Sequence, residues 1–218
     1  FLLGSMAEHS CRPNAFKYIQ SDRARVKLYI RALEDLRVGD KVSISYIPEY
    51  YPTWRRQELL KRGFNFHCRC ERCTNDSPEI CCAFVCPECE GPCCPPSPSC
   101  QPGAFDELLC EDCGFHLREP NESLDAFKRA ETLDRFGDET AAALHPYHFK
   151  IFHMYLNHLD QVPPETALQI LPQLSSAFCR LRDIDVGHPL HAQLAQLEAE
   201  CWEKVEDEEE GGAAWQRA

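Results

Sequence analysis

The sequence has no run of roughly 18 apolar residues, so no segment is expected to cross a membrane as a helix. It has no basic stretch leading into an apolar core near its start, so no secretory signal is read, and a cytoplasmic or nuclear placement is expected. It has no surplus of positive charge: Lys+Arg is 23 against Asp+Glu 35, a formal net charge of −12. That argues against a surface tracking nucleic-acid phosphates, which needs clustered cations. Its nine histidines form no His-based zinc pattern. It has no starting Met, opening on Phe1-Leu2-Leu3-Gly4, and is expected to be a fragment. What is there, 27% charged and 44% apolar in 218 residues, reads as one large globular domain or two small ones.

Cysteine is the residue in excess, with 15 in the chain. The odd count, the length and the missing secretory signal argue for metal ligation over disulfides. Three Cys-x-x-Cys pairs occur, at 70–73, 86–89 and 110–113.

Residues 1–50 read as strands and turns. Val26-Lys27-Leu28-Tyr29-Ile30 and Lys41-Val42-Ser43-Ile44-Ser45-Tyr46 are strand-like, with a turn signal at Arg37-Val38-Gly39-Asp40. Thr53 is the expected cap of a short helix over 54–62. Within 64–118, the proline-rich stretch 91–103 is expected to be an irregular loop. From Glu122 three helical stripes follow: Leu124, Phe127, Ala130, Leu133 and Phe136; Phe149, Phe152, Leu156 and Leu159; Leu190, Leu194, Leu197, Cys201 and Val205. Pro163-Pro164 starts a further helix that Pro172 should kink or split. His145-Pro146-Tyr147-His148 returns as His188-Pro189-Leu190-His191, which suggests repeated helical hairpins of the solenoid kind. These four histidines are read as helix starters. The acidic run 206–210 is read as a solvated tail.

The densest chemistry is Cys68-Arg69-Cys70-Glu71-Arg72-Cys73. Three thiolates within six residues can wrap one zinc, which takes four tetrahedral ligands. Cys11, Cys81 and Cys82 are all candidates for the fourth. Cys11 lies in the other tight polar motif, Glu8-His9-Ser10-Cys11-Arg12-Pro13-Asn14, though chain context alone does not single it out from Cys81 or Cys82. A second zinc set is Cys86-Pro87-Glu88-Cys89 with Cys110-Glu111-Asp112-Cys113, where Gly91 and Gly114 suit tight knuckles. Cys81, Cys82, Cys93, Cys94 and Cys100 compete as ligands there. Cys179 and Cys201 fit helical stripes as small buried apolar groups. Arg55, Arg56, Lys61 and Arg62 read as a solvated helix face.

Residues 8–14 resemble the Asn-His-Ser-Cys-x-Pro-Asn motif of SET-domain lysine methyltransferases. Residues 39–46 resemble the strand ending in their catalytic tyrosine, and Cys68–Cys73 their post-SET zinc segment. The run Ser45-Tyr46, Tyr51-Pro52-Thr53, Arg55-Arg56 and Phe66-His67-Cys68-Arg69-Cys70 is similar to the SET-and-MYND (SMYD) branch. The resemblance implies an α+β chain. The end of a SET domain would occupy 1–63, a cysteine-rich post-SET region 64–118, a TPR-like helical domain 119–205 and an acidic tail 206–218. The glycine-rich cofactor loop, first SET strands and MYND finger of that branch have no counterpart here.

The resemblance also implies the roles. Cys11, Cys68, Cys70 and Cys73 would bind one zinc. Glu8, His9, Phe64 and Phe66 would face S-adenosylmethionine, with Phe66 stacked on the adenine. Tyr46 would face the transferring methyl and the amine of a protein lysine, histone or non-histone, and further protein partners would dock on the helical domain. Methyl transfer from a sulfonium to an amine needs alignment more than acid–base power. Glu8 replaces the family's Asn, whose amide donates as well as accepts. Phe64 stands where the branch often has tyrosine. The rival reading is a non-enzymatic scaffold stapled by zinc.

Overall fold

The aromatic and β-branched residues of 15–32 build a hairpin in place of the single strand read at 26–30. A computed structural model describes residues 4–22, 25–75, 77–96, 101–119, 122–132, 142–159, 162–182 and 188–215. The chain divides into two compact units, Phe1–Asp76 and Ser77–Ala218, so the cysteine-rich segment is shared between them.

In the first unit β1 (Glu8–His9) is followed by β2 (Ala15–Asp22) and β3 (Arg25–Ala32), which pair antiparallel from Ala15↔Ala32 to Asp22↔Arg25. Tyr18 and Tyr29 face each other across this ladder, their rings stacked at 4.9 Å. β4 (Ser43–Ile44) runs parallel to β1, with Glu8 opposite Ser43 and His9 opposite Ile44. The strand expected over 41–46 shortens to these two residues because side chains take the flanking main chain. Asn14 Nδ2 donates to the Lys41 carbonyl at 2.8 Å, and His9 Nδ1 accepts from the Tyr46 N–H at 3.1 Å. The expected turn at 37–40 is present, with Asp40 N–H on the Arg37 carbonyl and Gly39 at φ +102°.

α1 (Thr53–Phe64) has Pro52, not Thr53, at its N-cap, and no side chain caps it. Thr53 Oγ1 instead accepts from Arg56 Nη2 at 2.7 Å. Asn65, left-handed at φ +58°, ends the helix, and the single turn α2 (Glu71–Thr74) follows.

In the second unit a 3-10 turn, Ile80–Cys82, leads into an antiparallel sheet of order β5 (Phe84–Val85), β6 (Pro92–Cys94), β7 (Glu107–Cys110) and β8 (His116–Arg118). The stretch expected to be irregular therefore holds an inner strand. Proline is tolerated because it stands at the strand's first residue, while Cys93 pairs with both Phe84 and Cys110. Cys100 lies outside the described residues.

Among the described residues this unit then carries the helices α3 (Glu122–Thr132), α4 (Phe149–Asn157), α5 (Pro164–Arg182) and α6 (Pro189–Trp215). The stripes bury Leu124, Phe127, Ala130, Phe149, Phe152, Leu194 and Cys201, while Leu156, Leu159, Leu190, Leu197 and Val205 are half-buried. Leu133 and Phe136 lie outside the described residues. α5 is not split at Pro172. The missing hydrogen bond costs about 3 kcal/mol, offset by burial of Ala167, Leu171, Leu174, Ala177 and Phe178, each large side chain contributing about 1.5–3 kcal/mol. α6 continues through the acidic run to Trp215. The two His-Pro starts share one geometry. His145 Nδ1 accepts from Tyr147 N–H at 3.2 Å and His188 Nδ1 from Leu190 N–H at 3.1 Å. The first carbonyl of each motif accepts from the N–H three residues on. No described helix is long and apolar enough to cross a membrane.

Candidate metal centres and aromatic site

Local hydrogen bonds aim the first thiol set. The α2 turn, with Cys73 N–H on the Cys70 carbonyl at 2.9 Å, holds Cys70 and Cys73 one turn apart. Gln57 clamps Cys68 through both sides of its amide, accepting from the Cys68 N–H and donating to its carbonyl. Cys11 enters from the turn after β1, so that the ligand atoms of Cys11, Cys68, Cys70 and Cys73 all lie within 4.8 Å of one another. Of the three candidates for the fourth ligand, the fold brings Cys11 and leaves Cys81 and Cys82 in the second unit. The thiols cannot ionise together. Hydrogen bonding to the other three, and then burial, pushes Cys11 up, while Cys11 pulls Cys68 down and Cys70 down to about 5. Cys73 is also pulled by Cys11 but is pushed up on balance by Cys68, Cys70 and burial. A divalent cation replacing the shared protons resolves this conflict, so the donor set fits zinc. Arg56, read as solvated, is fully buried, and its charge lowers Cys11 and Cys73. Arg72 donates to the carbonyls of Cys11, Glu49 and Tyr51.

The second set joins two knuckles of identical bonding. Cys86 N–H donates to the Gly91 carbonyl and Glu90 N–H to the Cys86 carbonyl; Cys110 and Gly114 repeat this with Phe115 as the distal acceptor. The left-handed residues are Glu90 at φ +62° and Gly114 at φ +73°. Gly114 therefore has the expected role, whereas in the first knuckle that conformation falls on Glu90 and not Gly91. Cys86, Cys89, Cys110 and Cys113 converge within 4.8 Å. Burial opposes ionisation of Cys110, but the N–H groups of Cys113 and Asp112 and the neighbouring thiols bring it to about 7. Cys93 lies beside Cys86 and Cys110 but outside this four-thiol group, pushed up first by burial. Cys94 is buried and pushed up likewise. A third group, Glu79, Cys81 and Cys82, is wholly buried.

Tyr46 lies between two small cores, packing on Ala7, Ala15 and Ile44 and on Cys11, Leu60 and Cys68. Its hydroxyl donates to the Ala7 carbonyl at 2.6 Å. Its N–H donates to His9 Nδ1 at 3.1 Å, which leaves the proton on Nε2, 3.3 Å from Cys11 Sγ. Both His9 nitrogens are thus committed, one to the tyrosine and one to a candidate metal ligand. Phe64 is 49% exposed and lies 4.9 Å from the Tyr46 ring; Phe66 lies 5.9 Å from His9. Lys17 Nζ stands over the Tyr46 ring at 5.7 Å. Glu8 is exposed and pairs with Lys41 at 3.3 Å. Phe64 thus offers an exposed aromatic face, while the Glu8 carboxylate is engaged by Lys41.

Among the helix-start histidines, His148 caps α4 by accepting from Lys150 N–H. Cys201 is buried as expected; Cys179 is half-buried and 3.5 Å from His191 Nε2.

No family model matches the chain. It is 37% identical over 75 residues to histone-lysine N-methyltransferase ASHR1 of Arabidopsis thaliana, across 34% of this chain and 15% of that protein. It is 32% identical over 76 residues to a SET and MYND domain-containing protein of Dictyostelium discoideum, across 35% of this chain and 21% of the relative. N-lysine methyltransferase SMYD2 of Rattus norvegicus is 36% identical over 70 residues, across 32% of this chain and 15% of the relative. The matches thus span only 15–21% of these relatives' length. The homologues include lysine methyltransferases. Among them the chain matches the SMYD type of SET and MYND proteins, over about a third of its length.

Proposed function

We propose that this chain is part of an S-adenosylmethionine-dependent protein-lysine methyltransferase of SMYD type, acting in the cytoplasm or nucleus on a histone or non-histone lysine. The observation that carries the proposal is the chain of contacts from Cys11 through His9 to Tyr46, which links a tetrathiolate set to a tyrosine flanked by aromatic faces. Zinc at Cys11, Cys68, Cys70 and Cys73 would hold this arrangement rigid, and zinc at Cys86, Cys89, Cys110 and Cys113 would staple the second unit. The TPR-like reading of the helices, with protein partners docking there, belongs to the same proposal.

Glu8, the ring face of His9, Phe64 and Phe66 would hold the cofactor, which supplies the electrophilic sulfonium methyl when bound. Phe64 and Phe66 offer flat apolar faces that exclude water. The Tyr46 hydroxyl gives its proton to the Ala7 carbonyl, so its oxygen lone pairs remain to accept an amine N–H and orient the nitrogen lone pair. Lys17 Nζ, 5.7 Å over the Tyr46 ring, supports the reading that this face can receive an ammonium group.

The test is transfer of labelled methyl from S-adenosylmethionine to a lysine-containing protein pool by the full-length protein carrying this sequence. Tyr46→Phe is expected to lower turnover about a hundredfold, the usual effect of losing one preorganised group, with cofactor affinity nearly intact. Absence of both transfer and cofactor binding would favour the zinc-stapled scaffold.

A further inference from the structure

Among the described residues, the two tetrathiolate sets leave one chemically distinct cluster unused. Glu79, Cys81 and Cys82 lie together in the second unit, 8%, 1% and 7% exposed, with a carboxylate oxygen and both Sγ atoms within 4.8 Å of one another. The convergence has a local cause. Cys82 N–H bonds the Glu79 carbonyl at 2.8 Å and Ala83 N–H bonds the Ile80 carbonyl at 3.1 Å. At three residues per turn, Glu79 and Cys82 eclipse on one side, with Cys81 adjacent.

The surroundings are buried and ionisable. Glu131 is 4% exposed, and its charge acts on Cys82. His148, fully buried, accepts at Nδ1 from Lys150 N–H, so its proton is on Nε2. That Nε2 has no hydrogen bond and stands 3.6 Å from Glu131 Oε1. Two carboxylates and two thiols thus share one interior region. Buried acidic groups of this kind are retained when they are paired or bind a cation.

We propose that Glu79, Cys81 and Cys82 form a third metal site, for a borderline-to-soft divalent cation of the zinc and cadmium class. Two sulfurs and one carboxylate oxygen suit that class and not a hard cation such as magnesium or calcium, which takes oxygen ligands. Three protein ligands leave one tetrahedral position for a further donor, which sets this site apart from the closed tetrathiolate sets. Glu131 and His148 would form an outer layer balancing the charge. The site is independent of the methyltransferase reading, because it uses no residue of the first unit.

The test loads the reduced 218-residue chain with cadmium-113 and records its NMR spectrum. Three resonances are expected, two at the position of tetrathiolate cadmium and a third well upfield, as befits a mixed sulfur–oxygen set. Metal counting by native mass spectrometry should give three equivalents. Glu79→Gln should weaken the third site at least tenfold, and the pair Cys81→Ser, Cys82→Ser should remove only the upfield resonance. Two tetrathiolate resonances alone, with saturating cadmium on the wild-type chain, would overturn the proposal, and so would a Cys81–Cys82 disulfide in a metal-loaded chain purified under reducing conditions. A missing tetrathiolate resonance would count against Cys11 or Cys110 and their partners, separately from this cluster. Because the wild-type spectrum decides the matter, a variant that fails to fold does not obscure it.

Discussion

Arg56 has no exposed surface, and its Nη2 stands 3.8 Å from Cys73 Sγ. Its other guanidinium contacts include the Tyr51 carbonyl at 2.5 Å and Thr53 Oγ1 at 2.7 Å, both neutral. A zinc held by four thiolates carries two net negative charges, and the buried guanidinium is placed to offset part of that.

Arg56→Met should therefore weaken zinc at Cys11, Cys68, Cys70 and Cys73 by tenfold or more, the usual range for an outer-layer partner. Competition with a chromophoric chelator measures this. The second-unit zinc should be unaffected, since Arg56 belongs to the first unit. Equal affinity in wild type and variant would show that the guanidinium serves packing alone.

Cys70→Ser and Cys110→Ser should each remove one tetrathiolate metal, with no loss at the other set. The ligands fall in separate units, and structural zinc contributes folding energy only where it binds. Hydrogen exchange should show loss of protection across 64–75 in Cys70→Ser and across 84–118 in Cys110→Ser. Joint loss of both metals from either variant would contradict this independence.

Gly91 has its own reason to lack a side chain. A Cβ there would lie 2.6 Å from Asp112 Oδ2 and 3.0 Å from Asp112 Cβ. Gly91→Ala should cost about 1–3 kcal/mol, as overpacking does, read as a lower urea midpoint of the metal-loaded chain. Asp112→Ala in the same chain should recover most of that loss, and the double-mutant cycle isolates the clash.

Glu8 and Lys41 are 66% and 81% exposed, so their ion pair contributes little to stability. Glu8→Asn should leave thermal stability unchanged. In the full-length protein it should tighten S-adenosylmethionine binding, because an amide adds a donor that a carboxylate lacks. Calorimetric titration checks this. Weaker binding would mean that the carboxylate itself pairs with the cofactor's ammonium.

Stability should fall on acidification. Burial lowers His145 to about 4 and also lowers His148 and His191. Between pH 6.5 and about 4 the unfolded chain takes up protons that the folded chain refuses, so stability rises with pH across that window and falls as pH drops through it. Metal loss acts in the same direction, which makes the comparison with His145→Gln decisive. That variant should show a shallower dependence of urea midpoint on pH between 6.5 and 4, and an unchanged slope would count against His145.

Ligand spacing was legible because a metal-binding loop is local chemistry. Cys68, Cys70 and Cys73, and the pairs 86–89 and 110–113, stand out at fixed short separations, as do the helical stripes and the His-Pro starts. The choice of Cys11 over Cys81 and Cys82 was not legible from spacing, because it depends on a contact 62 residues apart along the chain. Arg56 looked like any basic residue on a helix, and only packing of α1 against the thiol set made it buried. The strand at Pro92–Cys94 was hidden by proline, whose cost depends on which N–H the sheet requires. By itself, then, the sequence determined which residue types could bind metal, where the His-Pro starts lie and which family the motifs resemble, all of which follow from short-range spacing. Only the tertiary structure decided which distant thiols meet, which charge is buried beside them and which glycine faces a carboxylate, because those depend on long-range packing that no local pattern encodes.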